Sequence, residues 1–155
     1  MCHIRHRLLA GIVLALGALL APPAAAAEAT FGLRGGFYTK AEEPFVGAEL
    51  LLRVAPRVYF NPNVEYVFVD RGSYITWNGD FHYDFHTRSN TFAWLGAGLA
   101  LVTFDPPGPR NTDNDVAANF LAGVGVRTGG VIPYFQAKLI AKNDTEFVIA
   151  FGLRF

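Results

Sequence analysis

The chain has 155 residues, 52% hydrophobic and 17% charged, with 13 basic and 13 acidic side chains. That charged fraction is low against the roughly 25% of ordinary soluble domains, and balanced charge without a basic patch argues against nucleic acid as a partner. Beyond the N-terminus no apolar run reaches the ~18 residues a helical span needs, so the apolar residues are dispersed and their period becomes the question.

The N-terminus reads as an export signal. Arg5 and Arg7, with His3 and His6, form a basic start, Leu8 to Leu20 an apolar stretch, and Ala21-Pro22-Pro23 a helix break. Ala25-Ala26-Ala27 supplies the small residues a signal peptidase accepts. The expected signal is 1–27 and the expected mature domain 28–155; an uncleaved anchor is the alternative. The single cysteine, Cys2, lies in that signal, so the mature chain has no disulfide, thiolate nucleophile or cysteine metal site. Without Arg5 and Arg7, eleven basic residues face 13 acidic ones.

Eight segments then alternate with period two, the signature of strands with two distinct faces. They are Thr30–Tyr38, Phe45–Val54, Val58–Val69, Phe81–Arg88, Thr91–Phe104, Val116–Thr128, Val131–Lys142 and Thr145–Phe155. Pro62 predicts a bulge or an irregular pair in the third. Asn78-Gly79, a strong two-residue hairpin signal, predicts a turn within a long link 70–80, with Tyr74–Trp77 and Phe81–Phe85 as its arms. Turns are expected at 55–57, 89–90 and 129–130, longer links at 39–44, 70–80 and 105–115, and a very short one at 143–144.

One face of these segments carries bulky Phe, Leu and Val; the other carries Gly, Ala and isolated charges. A soluble barrel turns its large apolar residues inward. Eight strands enclose a space barely wide enough for side chains, which suits glycine and a few ions. The bulky face therefore points outward, to lipid. Most segments reach the 9–11 residues of a spanning strand. Hydrocarbon forbids an open sheet edge, so the sheet must close. The expected fold is an all-β, eight-stranded antiparallel up-and-down transmembrane barrel. A soluble periplasmic lipocalin-like binder, with the bulky face inward, is the alternative.

The last strand ends Phe151-Gly152-Leu153-Arg154-Phe155. It resembles the terminal strand of bacterial outer-membrane barrels, alternating and closed by phenylalanine. The whole mature chain resembles the small eight-stranded barrels of the OmpA transmembrane domain and OmpX type. The resemblance implies a bacterial outer-membrane location, outer-membrane lipids as surroundings, and a barrel assembly machinery that reads Phe151, Leu153 and Phe155.

Parity places Arg34, Glu49, Arg53, Glu65, Asp84, Arg127, Lys138 and Glu146 in the interior, with Arg154 near its mouth. Such charges should pair, since an unpaired buried charge is costly. The expectation is a lumen filled by a structural network, in a monomer with a structural or surface-interaction role and with 70–80 and 105–115 as contact surfaces. A narrow gated channel is one alternative. A lipid A-modifying enzyme is another, for which Ser73, His82 and Asp80 or Asp84 form the one assemblable cluster; with no supporting signature, a non-enzyme is expected. His82, Asp84 and His86 offer metal-ligand types on one strand face, but a complete site needs a further ligand, and no metal or cofactor is expected. Trp77, Trp94, Tyr59, Tyr66, Tyr83 and Tyr134 are candidates for aromatic girdles.

Overall fold

The computed structural model describes residues 29–87, 89–108 and 112–155; the expected export signal 1–27, Glu28, Arg88 and residues 109–111 of the expected link lie outside them. Eight strands follow in order: β1 Ala29–Tyr38, β2 Glu43–Ala55, β3 Val58–Val67, β4 Ser73–His86, β5 Thr91–Asp105, β6 Asp113–Val126, β7 Ile132–Ala141 and β8 Glu146–Arg154. Each pairs antiparallel with its predecessor, and β8 closes on β1.

The register fixes the shape. From Ala29 it runs through Leu52, Phe60, Phe81, Ala97, Phe120, Leu139 and Phe147, and re-enters β1 at Thr39, ten residues beyond the start. Such a stagger tilts the strands and sets the width of the interior. An even strand count places the start of β1 and the end of β8 at one end, called here the terminal end; the opposite end is the distal end.

Side-chain direction decides the solvent. Leu99 is 64% exposed and Phe120 55%, whereas Glu49 and Lys138 are 2% and 1% exposed. Leu50 and Phe147 also face out. A continuous belt of exposed phenylalanine, leucine and valine, with the ions sealed inside, is stable only against hydrocarbon. The lipocalin-like alternative requires the opposite arrangement and is overturned.

Two local expectations also fail. Asn78-Gly79 is not a turn: both residues lie inside β4, opposite Asn63 and Pro62 of β3. The chain reverses instead at 68–72, where Gly72 has φ 90°, a left-handed conformation that glycine adopts readily. A two-residue turn signal is weaker than an unbroken ladder on both sides of the strand. The link 105–115 likewise shrinks to 106–112, because Phe104 pairs with Asp113 and carries the hairpin beyond the belt.

Pro62 causes an interruption rather than a bulge. The β2–β3 ladder skips Leu50 and Leu51 but resumes in the same register, and the shift comes later, between Arg53 and Ala55. Proline has no N–H to give; the Asn61 amide donates to the Leu50 carbonyl at 2.9 Å instead.

Candidate functional site

The lumen is the place where chemistry-bearing side chains converge, and it is layered. Near the distal end Tyr38, Phe45, Val67, Val102, Ile140 and Val148 form an apolar cluster, with Tyr74 and Val69 packed on it. Near the terminal end Phe92, Trp94, Leu121 and Tyr134 form a second. Between them the inward positions are almost all polar.

That middle layer contains an alternating chain of ions from five strands. Arg154 donates to Glu49 at 2.8 Å, Glu49 lies 3.5 Å from Arg34, Arg34 lies 3.2 Å from Glu65, and Lys138 donates to both Glu65 oxygens at 2.9 Å. The side chains of Arg34, Glu49, Glu65 and Lys138 are 0% exposed. Glu65 also accepts from Tyr38 at 2.5 Å and from Thr76 at 3.1 Å. Five ions of alternating sign neutralise their neighbours, as a buried charge requires. Three cations and two anions leave one positive charge, and Asp80 supplies the remaining carboxylate in the same layer, accepting from Asn63 at 3.1 Å and Asn119 at 2.8 Å.

Arg34, Glu49, Glu65 and Lys138 are thus brought together. Glu146 is buried at the distal rim, where it accepts the backbone N–H groups of Lys40 and Ala41 and pins the β1–β2 link. Asp84 is buried lower down, 3.7 Å from His82. Arg127 follows β6 at the terminal mouth, its guanidinium 4.1 Å above the Phe92 ring and 3.9 Å from Asp84.

Arg53 departs from expectation. It has inward parity but is exposed, because β2 runs past the enclosed lumen just where its register with β3 shifts.

Three features escape sequence reading. Asp80 falls in a link when Asn78-Gly79 is read as a turn. Extended through that dipeptide, Thr76, Asn78, Asp80, His82 and Asp84 form one polar inward face, which is the signal that finds it. Arg154 belongs to the network rather than to its mouth. The apolar ends, with Phe92 and Tyr38 inward, differ from an interior of glycine and charge. Glycines opposite make the room: a Cβ on Gly123 would strike the Trp94 ring, and one on Gly152 the Tyr134 ring.

The other candidates separate. Ser73 and His82 lie nine residues apart on β4, roughly 30 Å at about 3.3 Å per residue, so they cannot share a catalytic site. His82 and Asp84 are buried while His86 is exposed at the mouth. Of the aromatic candidates, Trp77, Tyr66 and Tyr83 face lipid, whereas Trp94 and Tyr134 are buried in the lumen and Tyr59 turns inward beside His82.

The rims differ in charge. Among the described residues the distal strand ends and links carry Glu42, Glu43, Asp70, Asp105, Asp113, Asp115 and Asp144 besides the buried Glu146, against Lys40, Arg71 and Lys142. Lys40 contacts Asp144 and holds its carboxyl below the usual carboxylate range. The terminal end carries Arg53, Arg57 and Arg127, and no exposed acidic side chain among the described residues.

No family model matches this sequence, and no curated protein does. Solved structures do. The N-terminal barrel domain of Pseudomonas aeruginosa OprF superimposes with a TM-score of 0.69 at 15% identity, over 82% of this chain and 95% of that one. Neisserial surface protein A gives 0.60 at 17% identity, over 81% and 92%. The outer-membrane enzyme PagL gives 0.56 at 12% identity, over 81% and 98%. The fold is that of the small eight-stranded outer-membrane barrels, a set in which both non-enzymes and an enzyme occur.

Proposed function

We propose that this chain is a closed, non-enzymatic barrel of the bacterial outer membrane, with a structural or rim-mediated surface role and no conducting pore. The terminal end then lies in the periplasm and the distal end outside. One observation carries the reading: the ion chain across the middle of the lumen is fully buried, with an apolar cluster on either side. An ion would have to break the paired layer and displace both clusters. The outer links are short, 39–42, 68–72, 106–112 and 142–145, so a partner would meet a rim rather than long loops.

Planar-bilayer recording tests closure, on protein shown to be folded by heat-modifiable gel migration. The expected trace is silent; discrete conductance steps from the native protein would overturn the closed reading and favour a gate.

The same reading includes export with a cut after Ala27, so that the purified protein begins Glu28-Ala29-Thr30; a retained Arg5 would remove that part. It also includes recognition of β8 during assembly. Phe151, Leu153 and Phe155 all point outward, 61%, 45% and 55% exposed, available to another protein before lipid covers them. Phe155→Ala should lower the folded fraction recovered from outer membranes several-fold while refolding in detergent stays as native; equal recovery from membranes would remove this role.

A further inference from the structure

The barrel wall is uneven in height at the distal end. β4, β5 and β6 have 14, 15 and 14 residues, whereas β7, β8 and β1 have 10, 9 and 10. β6 pairs with β5 up to Asp113, but with β7 only up to Ala118, opposite Ala141. The same register would set Val116 opposite Asn143, where the chain already turns. Among the described residues no backbone hydrogen bond joins 113–117 to the link 142–145. One side of β6 is therefore a free edge.

Parity identifies the groups on that edge. The Arg127 N–H donates to the Asn90 carbonyl just before β5, so the odd residues of β6 bond towards β5 and the even ones away from it. The N–H and C=O groups of Asn114 and Val116 thus lie along the free side. Unpaired backbone groups are not tolerated in hydrocarbon, which places this edge above the belt, in water. Residues 113–116 are all exposed, Val116 at 71%. Beside them a cleft of about 240 Å³ is lined by Asp115, Val116, Lys142, Asn143 and Asp144. A strand continuing the line of β7 would occupy it.

An open edge is a template for pairing unless a bulge, charge or cover protects it. No bulge protects this one, since the ladder to β5 runs to Asp113 without a shift. Its charge is selective. Asp113, Asp115 and Asp144 stand here against Lys142 and Lys40, each already set on a carboxylate: Lys142 lies 3.6 Å from Asp115, and Lys40 contacts Asp144. A second copy meeting the same edge would bring Asp113 and Asp115 near their own equivalents, which destabilises a strand pair. A basic strand would gain the backbone bonds and the charge contact together.

Resting on the outward placement of the distal end, we propose that residues 113–116 form a docking edge on which an extended, basic segment of a protein partner adds as a strand. Its lysines or arginines lie on the side of Asp113 and Asp115, and its alternate, β-branched residues on the side of Val116.

The probe is a fluorescently labelled peptide, Thr-Lys-Val-Lys-Thr-Lys, titrated at low salt onto folded protein in zwitterionic detergent micelles. Saturable binding is expected. Methylating the alternate backbone nitrogens that face the edge keeps the charge and removes the donors. It should weaken binding at least about tenfold, as the loss of two or more backbone bonds implies. Val116→Pro should do the same from the other side, removing an edge donor that the β5 ladder does not use, at a position where proline is tolerated. Val116→Thr keeps that N–H and should bind as native. Asp113→Asn/Asp115→Asn should weaken binding several-fold and flatten its salt dependence. Heat-modifiable migration checks that each variant is folded. No saturable binding by the native protein, equal binding of the methylated peptide, or native binding by folded Val116→Pro would each overturn the proposal. So would native dimers in sedimentation that Val116→Pro dissolves, since the edge would then belong to a second copy. Cells displaying the native protein should bind more peptide than cells displaying Val116→Pro. Binding in micelles without that excess on cells would overturn the outward placement of the distal end and leave the strand pairing standing.

Discussion

The two walls of the barrel are built from the same strands under different rules. On β4 the inward face reads Thr76, Asn78, Asp80, His82, Asp84, and the outward face Trp77, Gly79, Phe81, Tyr83, Phe85. Each inward residue has a particular neighbour: Asn78 accepts from Asn119 at 2.9 Å, Asp80 from Asn63 and Asn119. The outward residues need only be apolar, because lipid adapts to their shape. A substitution should therefore be costly inside and mild outside, according to which partners it orphans.

The largest effect is expected at Glu65, which holds Arg34, Lys138, Tyr38 and Thr76 together. Glu65→Ala leaves two buried cations short of an anion and should cost about 3–5 kcal/mol, the range for breaking a buried pair. Urea unfolding in lipid or detergent reads this directly. Exchanging both members, Glu65→Leu with Lys138→Met, should recover part of the loss, because an apolar pair of similar volume carries no orphaned charge. A Glu65→Ala barrel as stable as native would show that the ion chain is incidental to the inner wall.

Trp94 tests the same wall where it is apolar. Its ring lies 5.6 Å from Phe92 and 5.7 Å from Tyr134, its Nε1 donates to Gln136 at 3.3 Å, and the Arg154 guanidinium sits 5.0 Å above it. Trp94→Ala should cost about 3 kcal/mol, the lower end for such a truncation, because the flanking rings can lean into the gap. Bilayer recordings should remain silent, since Arg154 keeps its 2.8 Å bond to Glu49 and the outer cluster does not include Trp94. Conductance in this variant would make Trp94 the seal and assign the other layers a lesser part.

Much of this is legible in the sequence and some is not, for physical reasons. Alternation is local, so Phe147 to Phe155 announces a two-faced strand without any knowledge of its neighbours. Pairing is not local: Arg154 meets Glu49 across 105 residues of chain, and that meeting depends on the stagger of the whole barrel. Parity alone places Arg53 inside, but parity does not say where a strand leaves the lumen. Asn78-Gly79 misleads because turn chemistry is a statement about an isolated pair. Here that pair is held by ladders to both β3 and β5, and Asp80 is lost with it.

The smallest expected effects make the sharpest comparison, because one chemical change is made on each wall. Gly123 faces the lumen, and a Cβ there would enter the Trp94 ring and lie 2.9 Å from the Phe135 carbonyl oxygen. Gly123→Ala should cost about 1–3 kcal/mol as an overpacked core does. Gly79 faces lipid, and its Cβ would meet the Phe60 ring at 3.5 Å, ordinary contact. An added methyl there restricts the unfolded chain without straining the strand, so Gly79→Ala should stabilise by roughly 0.5 kcal/mol. The sign is diagnostic. In a tight Asn-Gly hairpin turn the glycine needs positive φ, and alanine would destabilise. Within β4 the same alanine adds contact with Phe60 and belt surface. A loss of stability with Gly79→Ala would therefore bring back the turn, shorten β4, and take Asp80 out of the inner wall.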